Sequence, residues 1–280
     1  MRGALADVGA GRFGEASTLL ATERGDVGRL GLVELGERGS TTAVRVEAVR
    51  IVGQRNDPTA YRWLVSRTAA PENEVRAAAF VALGGLGVPF AIPLAAEAVS
   101  DPDPAVAAAA KEAEAKLRES AIAFYLDQAF LAPSLAERLD GVNAIAQLRD
   151  PRAVAGLAGL FAKVNEAEMK QAILWCLGDI GGPDALAFVR RQLRSDEYLT
   201  RSAAIYVVGQ HKDGQAVADL ERIIKDDISN GNRIGACRAL SSVGTPESVS
   251  ILEKALAAGL DEEIRSECRI ALKPAQKPKT

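Results

Sequence analysis

The chain has 280 residues, of which 48 % are apolar and 25 % charged, with a net charge of -3. These values place it among folded proteins rather than disordered ones, and they remove the simplest electrostatic case for a dedicated nucleic-acid or membrane-surface binder. No apolar run approaches the roughly 18 to 20 residues that span a bilayer, and the N-terminal stretch MRGALADVGAG lacks the apolar core of a signal peptide. A cytoplasmic protein without membrane insertion is expected.

Along the chain a Pro, or its substitute, recurs at Pro58, Pro89, Ser120, Pro151, Pro183, Gly214 and Pro246, in steps of 31, 31, 31, 32, 31 and 32 residues. Such a period predicts a solenoid of stacked helix pairs. A degenerate first hairpin is expected at about 11–38, and weaker copies at 41–68 and 104–131. Clear copies lie at 75–94, 143–161, 168–194, 201–220 and 232–252. In the clearest, Ile173, Leu177 and Ile180 fall at helical spacing before a Gly-Gly-Pro break, and Pro183 opens a second helix whose inner face carries Leu186, Val189 and Leu193. Neither helix can bury its apolar stripe alone, so each hairpin must pack on its neighbours. The expected architecture is all-α, a right-handed α-α superhelix of about eight hairpins plus a terminal helix at 261–272. It forms one solenoid over 1–272, followed by a flexible tail at 273–280.

Units of the form V-R-x-x-A-x-x-x-L-G, as in Val75 to Gly84, followed by D-P-x-A-V, as in Asp150 to Val154, resemble HEAT repeats of the short bacterial type, the phycobilisome-lyase-like repeats. That family includes scaffolds, adaptors, chromophore lyases and enzymes, so the resemblance implies a fold more than an activity. A basic residue stands thirteen positions before six of the seven breaks, at Arg45, Arg76, Arg138, Lys170, Arg201 and Arg233. In HEAT-like units this residue resembles a ladder that bonds acidic groups of the inter-helix turns. Candidate acceptors are Asp57, Asp150, Asp179 and Asp213.

No catalytic constellation stands out. His211, the single histidine, falls by register near the end of a first helix, as a turn residue rather than a general base. Metal sites built from several histidines are impossible, and no cofactor is expected. HEAT-like deoxyhypusine hydroxylases carry repeated His-Glu pairs for a di-iron centre, and the absence of any such pair excludes that relative. The aromatic-rich helix signature of chromophore lyases is also missing; LWCLG at 174–178 is only a fragment of it. Glycines in GGLG (84–87) and GDIGG (178–182) read as helix stops, since they lack the strand of a dinucleotide site and the lysine of a phosphate loop. Cys176, Cys237 and Cys268 form no CxxC pair and read as buried free thiols.

Two surfaces carry candidate binding residues. Eight and eleven positions after the break, the last three units line up Arg191, Arg194, Arg222, Lys225 and Lys254 on second helices, a basic ladder suited to an acidic segment of a protein partner. Eight positions before the break the residues are Arg50, Val81, Glu112, Asn143, Trp175, Tyr206 and Arg238, a variation that marks an outward position. Trp175, Tyr206 and Arg238 would then be neighbours with the composition of a protein-binding hot spot. Trp63 is assigned to packing. The reading reached is a non-enzymatic scaffold or adaptor with a concave groove for a protein partner. A chromophore-lyase-like or other modification accessory is the alternative, and a nucleic-acid binder the second.

Overall fold

In the computed structural model, which describes residues 1–23 and 25–275, the chain is an all-α solenoid with no strand among the described residues. It divides into two compact units, one over Met1–Ala123 and one from Phe124 onward. The first contains α1 (Arg2–Gly9), α2 (Glu15–Thr22) and α3 (Asp26–Arg38). Two hairpins follow, α4 (Thr42–Gln54) with α5 (Tyr61–Arg67) and α6 (Asn73–Leu86) with α7 (Ile92–Ala98), and then the start of α8 (Pro104–Leu131). The second takes the end of α8 and continues with α9 (Leu135–Leu148), α10 (Ala153–Phe161), α11 (Ala167–Ile180), α12 (Gly182–Gln192), α13 (Tyr198–Gln210), α14 (Val217–Asp226), α15 (Asn230–Val243), α16 (Pro246–Ala257) and α17 (Glu262–Ala275). Of the expected tail, 276–280 lie outside the described residues.

The turn inside each hairpin has one recurring device. Two residues before the break the backbone enters the left-handed region, at Asn56 (φ 49°), Gly87 (68°), Arg149 (48°), Gly181 (69°), Lys212 (50°) and Gly244 (61°). This conformation ends a first helix by turning the chain away from the axis, and glycine adopts it most cheaply. The acid just before the break then caps the next helix: Asp57 accepts from the Thr59 amide at 2.9 Å and Asp213 from the Gln215 amide at 3.1 Å.

The hairpin expected at 104–131 is instead the single helix α8, 28 residues long. Ser120 is neither Pro nor Gly, and the flanking sequence KLRESAIAF consists largely of helix formers, so the fourth unit has nothing to stop it.

Gly84 and Gly178 are not helix stops. Both lie inside first helices, α6 and α11, and are buried. A Cβ on Gly84 would stand 2.9 Å from the Cα of Ala113, and one on Gly53 2.6 Å from the Cβ of Ala82. The glycine five positions before the break is therefore an approach point that lets the next first helix close in. Only Gly87 and Gly181 of those runs act as stops.

The core is a stripe of small and branched side chains repeated from unit to unit. Ala48, Ala79, Ala110, Ile173, Ala204 and Ala236, ten positions before the break, are all fully buried. Leu83, Leu177 and Leu240 lie buried six positions before it, each worth about 2 kcal/mol of apolar burial. Trp63 packs on α3: its ring lies over Gly36 and its Nε1 donates to Glu37 at 3.1 Å.

Candidate functional site

The basic residue thirteen before the break joins consecutive units, as expected, but to different acceptors. Arg45 binds Glu72, Arg76 binds Asp101, Arg138 binds Glu166, Lys170 binds Glu197, Arg201 binds Asp227 and Arg233 binds Asp261. Each acid lies 25 to 28 residues further on, in the turn between hairpins rather than within one. The reach is set by geometry, because this residue stands in the first turn of its helix, at the end of the hairpin where units join. There most of the ladder also donates backward, to a carbonyl of the preceding turn (Arg45 to Gly39, Arg76 to Ala70, Arg201 to Ser195) or of the end of the preceding helix (Arg138 to Ala129, Arg233 to Ile224). Asp57, Asp150, Asp179 and Asp213 sit at the opposite end. Asp150 pairs instead with Arg152 and Asp213 with Arg190.

The strongest ladder pair is the Arg201–Asp227 fork, at 2.6 and 2.8 Å, with both side chains almost completely buried. Burial pushes the Asp227 carboxyl up, but the Arg201 hydrogen bonds, the Ser229 amide, the Arg201 charge and the Asn232 amide outweigh it and hold the group below its ordinary value. Glu166 is brought down to about 2, chiefly by its hydrogen bonds from Arg138. This network holds units together and offers no free reactive group.

On the outward side of the first helices, all seven residues eight before the break are exposed, from Arg50 to Arg238. In the second unit α9, α11 and α13 enclose a recess of about 800 Å³ there. Its walls repeat one register: Gln171, Trp175 and Asp179 on α11 face their counterparts Ser202, Tyr206 and Gln210 on α13, with Arg149 at the end of α9. Trp175 is 47 % exposed and Tyr206 59 %. None of these seven side chains makes a hydrogen bond or ion pair with another described residue. A second recess of about 370 Å³ continues between α13 and α15, sharing Ser202, Tyr206 and Gln210 and adding Arg238, whose guanidinium binds Glu267 at 3.0 Å. The aromatic pair and Arg238 thus lie along one continuous line.

The basic ladder of the second helices is mostly engaged within the chain. Arg194 binds Asp219 at 2.8 Å, Arg222 donates to the Leu193 carbonyl at 2.7 Å, and Lys225 binds Glu221 at 2.6 Å. Arg191 stacks over Phe188 with its guanidinium carbon 5.1 Å from the ring centre. Lys254 lies beside Lys225 in a recess of about 40 Å³. A further recess of about 280 Å³ runs along Arg190, Arg191 and Arg194, smaller than the one between first helices.

The remaining chemically capable side chains are occupied. His211 donates from Nε2 to the Gly178 carbonyl of the preceding unit at 2.8 Å. Cys176 is buried, and burial, with the charge of Asp179 behind it, pushes its thiol up to about 12, so it is inert at neutral pH. Cys237 and Cys268 are not free thiols: they form a disulfide between α15 and α17, with Cα atoms 5.2 Å apart. Their separation of 31 residues was the missed signal. It is one full repeat, so the two cysteines hold the same register in consecutive first-type helices and stack on each other.

Comparison with known proteins settles the family. A model of HEAT repeats matches residues 31–120, 122–209 and 192–273, and the chain belongs to the HEAT-repeat family. Three curated relatives match, all deoxyhypusine hydroxylases. That of Arabidopsis thaliana is 30 % identical over 101 residues, covering 36 % of this chain and 32 % of that protein. That of Mus musculus is 29 % identical over 82 residues, covering 29 % and 27 %. The chain spans about a third of the length of the curated relatives it matches. Among solved structures, human deoxyhypusine hydroxylase in complex with glycerol is 18 % identical, with a TM-score of 0.37 over 97 % of this chain and 96 % of that one. Importin beta is 17 % identical, with a TM-score of 0.36 over 97 % and 42 %.

These relatives, which are enzymes, overturn the expectation of a non-enzymatic scaffold, and with it the weight placed on the missing motifs. The error had a physical source. The likeness is spread over 82 to 107 residues at 27 to 30 % identity, which a search for short reactive motifs does not register. The donor set of a di-iron centre is nevertheless absent. The chain has one histidine, its Nε2 is engaged by Gly178, and no group of three or more His, Cys, Asp or Glu among the described residues could hold a metal ion. The residues present do not fit that centre, and no step is routed through it. No helix among the described residues is long and apolar enough to cross a membrane.

Proposed function

We propose that this chain is an enzyme acting on a polypeptide, with the recess between α9, α11 and α13 as its substrate-binding site. The observation that carries this reading is the concentration there of exposed aromatic and polar side chains with no partner among the described residues, whereas most cations of the ladder and of the second helices are paired. Trp175 and Tyr206 offer flat apolar faces that bind at little entropic cost. Gln171 and Gln210 can each give and receive a hydrogen bond, the requirement for reading a peptide backbone. Arg149 and Asp179 fix a polarity across the opening. HEAT repeats commonly mediate protein interactions, and the curated relatives are enzymes named for deoxyhypusine. Both facts support a site that presents a polypeptide side chain for modification. The relatives' metal chemistry is not carried over, because its ligands are missing.

A photo-crosslinking residue placed at Ser202 in the native host tests the proposal. The polypeptide captured should carry a side-chain modification, read by mass spectrometry, that is lost when the gene is deleted or when Trp175 and Tyr206 are both replaced by Ala. Identical side-chain masses in all three strains would refute it.

A further inference from the structure

We propose that the arginine recess between α12 and α14 is a subsite for a phosphorylated side chain of a polypeptide partner. It lies on the second helices and shares no residue with the recess between first helices, so it stands apart from the enzymatic reading above. Its lining is Ala187, Arg190, Arg191, Arg194, Gln215 and Asp219, around a space of about 280 Å³. Arg194 follows Arg190 by four positions and Arg191 by three, which sets all three on one side of α12. Each guanidinium is held in place without being used up. Arg190 gives Nη1 to the buried Asp213 at 2.6 Å, and Asp213 is itself fixed by the Gln215 amide. Arg194 gives Nε and Nη2 to Asp219. Arg191 lies over the Phe188 ring and has no carboxylate bound to it among the described residues. Free donors therefore remain on all three: Nε and Nη2 of Arg190, Nη1 of Arg194 and the whole of Arg191.

The charge balance selects the ligand. Asp219 also faces Arg222, at 3.7 Å, so four guanidiniums share the two carboxylates Asp213 and Asp219, and two positive charges are left over. Glu221, the next acid on α14, is taken by Lys225. A phosphate monoester brings close to two negative charges at neutral pH and three acceptor oxygens, whereas a carboxylate brings one charge and two oxygens. Planar guanidinium forks bind such oxygens in pairs. The cations continue past the recess. Arg191, Arg222 and Lys254 stand eight positions after the break in consecutive units, and Lys225 and Lys254 border one further recess of α14 and α16. A row of positive charge beyond the phosphate suits a chain that carries more acidic groups, not a free phosphate ion.

Blocked peptides with a Gly/Ser host sequence and a central phosphoserine, glutamate or serine serve as probes, together with inorganic phosphate, and calorimetry is the readout. The phosphoserine peptide should bind roughly tenfold more tightly than the glutamate peptide, a difference of about 1.4 kcal/mol, and the serine peptide more weakly than either. Arg191→Gln alters an exposed side chain outside any ion pair, so it should keep the melting temperature while lowering phosphoserine binding about tenfold. Arg191→Lys should recover only part of that loss, because an ammonium keeps the charge but not the fork. Lys116→Gln, which removes one exposed charge from α8, should change nothing. Equal binding of the phosphoserine and glutamate peptides, or phosphoserine binding unaffected by Arg191→Gln, overturns the subsite. Inorganic phosphate should displace the phosphopeptide but bind at least about tenfold more weakly; equal affinity would overturn a polypeptide as the source of the phosphate.

Discussion

Replacing Asp227 by Ala should destabilise the second unit far more than any exposed charge change. The carboxylate accepts from Arg201 Nε at 2.6 Å and Nη2 at 2.8 Å, from the Ser229 amide at 2.9 Å and from Asn232 Nδ2 at 3.3 Å. Removing it strands a guanidinium whose side chain is only 9 % exposed, still tethered to the Ser195 and Asp196 carbonyls. Breaking a buried pair from one side costs about 3–5 kcal/mol. For a unit of this size that lowers the melting temperature by roughly 10 °C. The exposed pair Lys225–Glu221 provides the control, since Lys225→Ala should cost under about 1 kcal/mol. Denaturant titration followed by circular dichroism measures both. A double variant, Arg201→Met with Asp227→Leu, should recover most of the loss, because the penalty comes from the unpaired charge and not from absence of the pair. The sign with pH follows from the lowered carboxyl. With a folded pKa below the unfolded value of about 3.9, the ionised pair contributes fully above that value, and its contribution disappears as pH falls through the folded pKa. The stability gap between the native chain and Asp227→Asn should therefore be constant from neutral pH to about 4.5 and close below 4. An Asp227→Ala cost below about 1 kcal/mol, or a gap that widens in acid, would refute the ladder as the tie between units.

Gly84→Val should cost about 1–3 kcal/mol by forcing α6 away from Ala113, whereas the same change at Gly85, which has nothing near it, should cost well under that; thermal melts of the two variants compare them directly. Titration of thiols in the denatured, unreduced chain should find one reactive group, Cys176, and three after reduction, while the native chain should resist alkylation at neutral pH because the Cys176 thiol is buried and pushed up to about 12. Trp175→Ala and Tyr206→Ala, both exposed, should shift unfolding by no more than about 0.5 kcal/mol, so a loss of binding in either variant reports on the recess and not on folding.

How much could be read from the chain differed between levels. The 31-residue period, the helix pairs and the buried stripe follow from residue spacing alone, because a helix that presents apolar residues every three or four positions must be covered by a neighbour of the same kind. The outward position at Trp175, Tyr206 and Arg238 was legible for the complementary reason, since a site that varies from Arg to Val to Trp cannot lie in a core of fixed volume. The ladder was half legible: its basic member repeats visibly, but its acid moves between Glu and Asp and shifts by up to three positions, so it shows no period.

What required the fold is every relation between one unit and the next. Whether a glycine ends a helix or admits the following one depends on the atoms opposite its missing Cβ, and these belong to a residue about thirty positions away. The same holds for the acids that receive the ladder, for the cysteines that meet one repeat apart, and for the recess, to which α11 and α13 each bring half. Sequence dictated the local conformation and the faces that had to be hidden, because those depend on near neighbours along the chain. Distances through space between successive hairpins then determined which of the remaining side chains were neutralised by a partner and which were left open to a ligand.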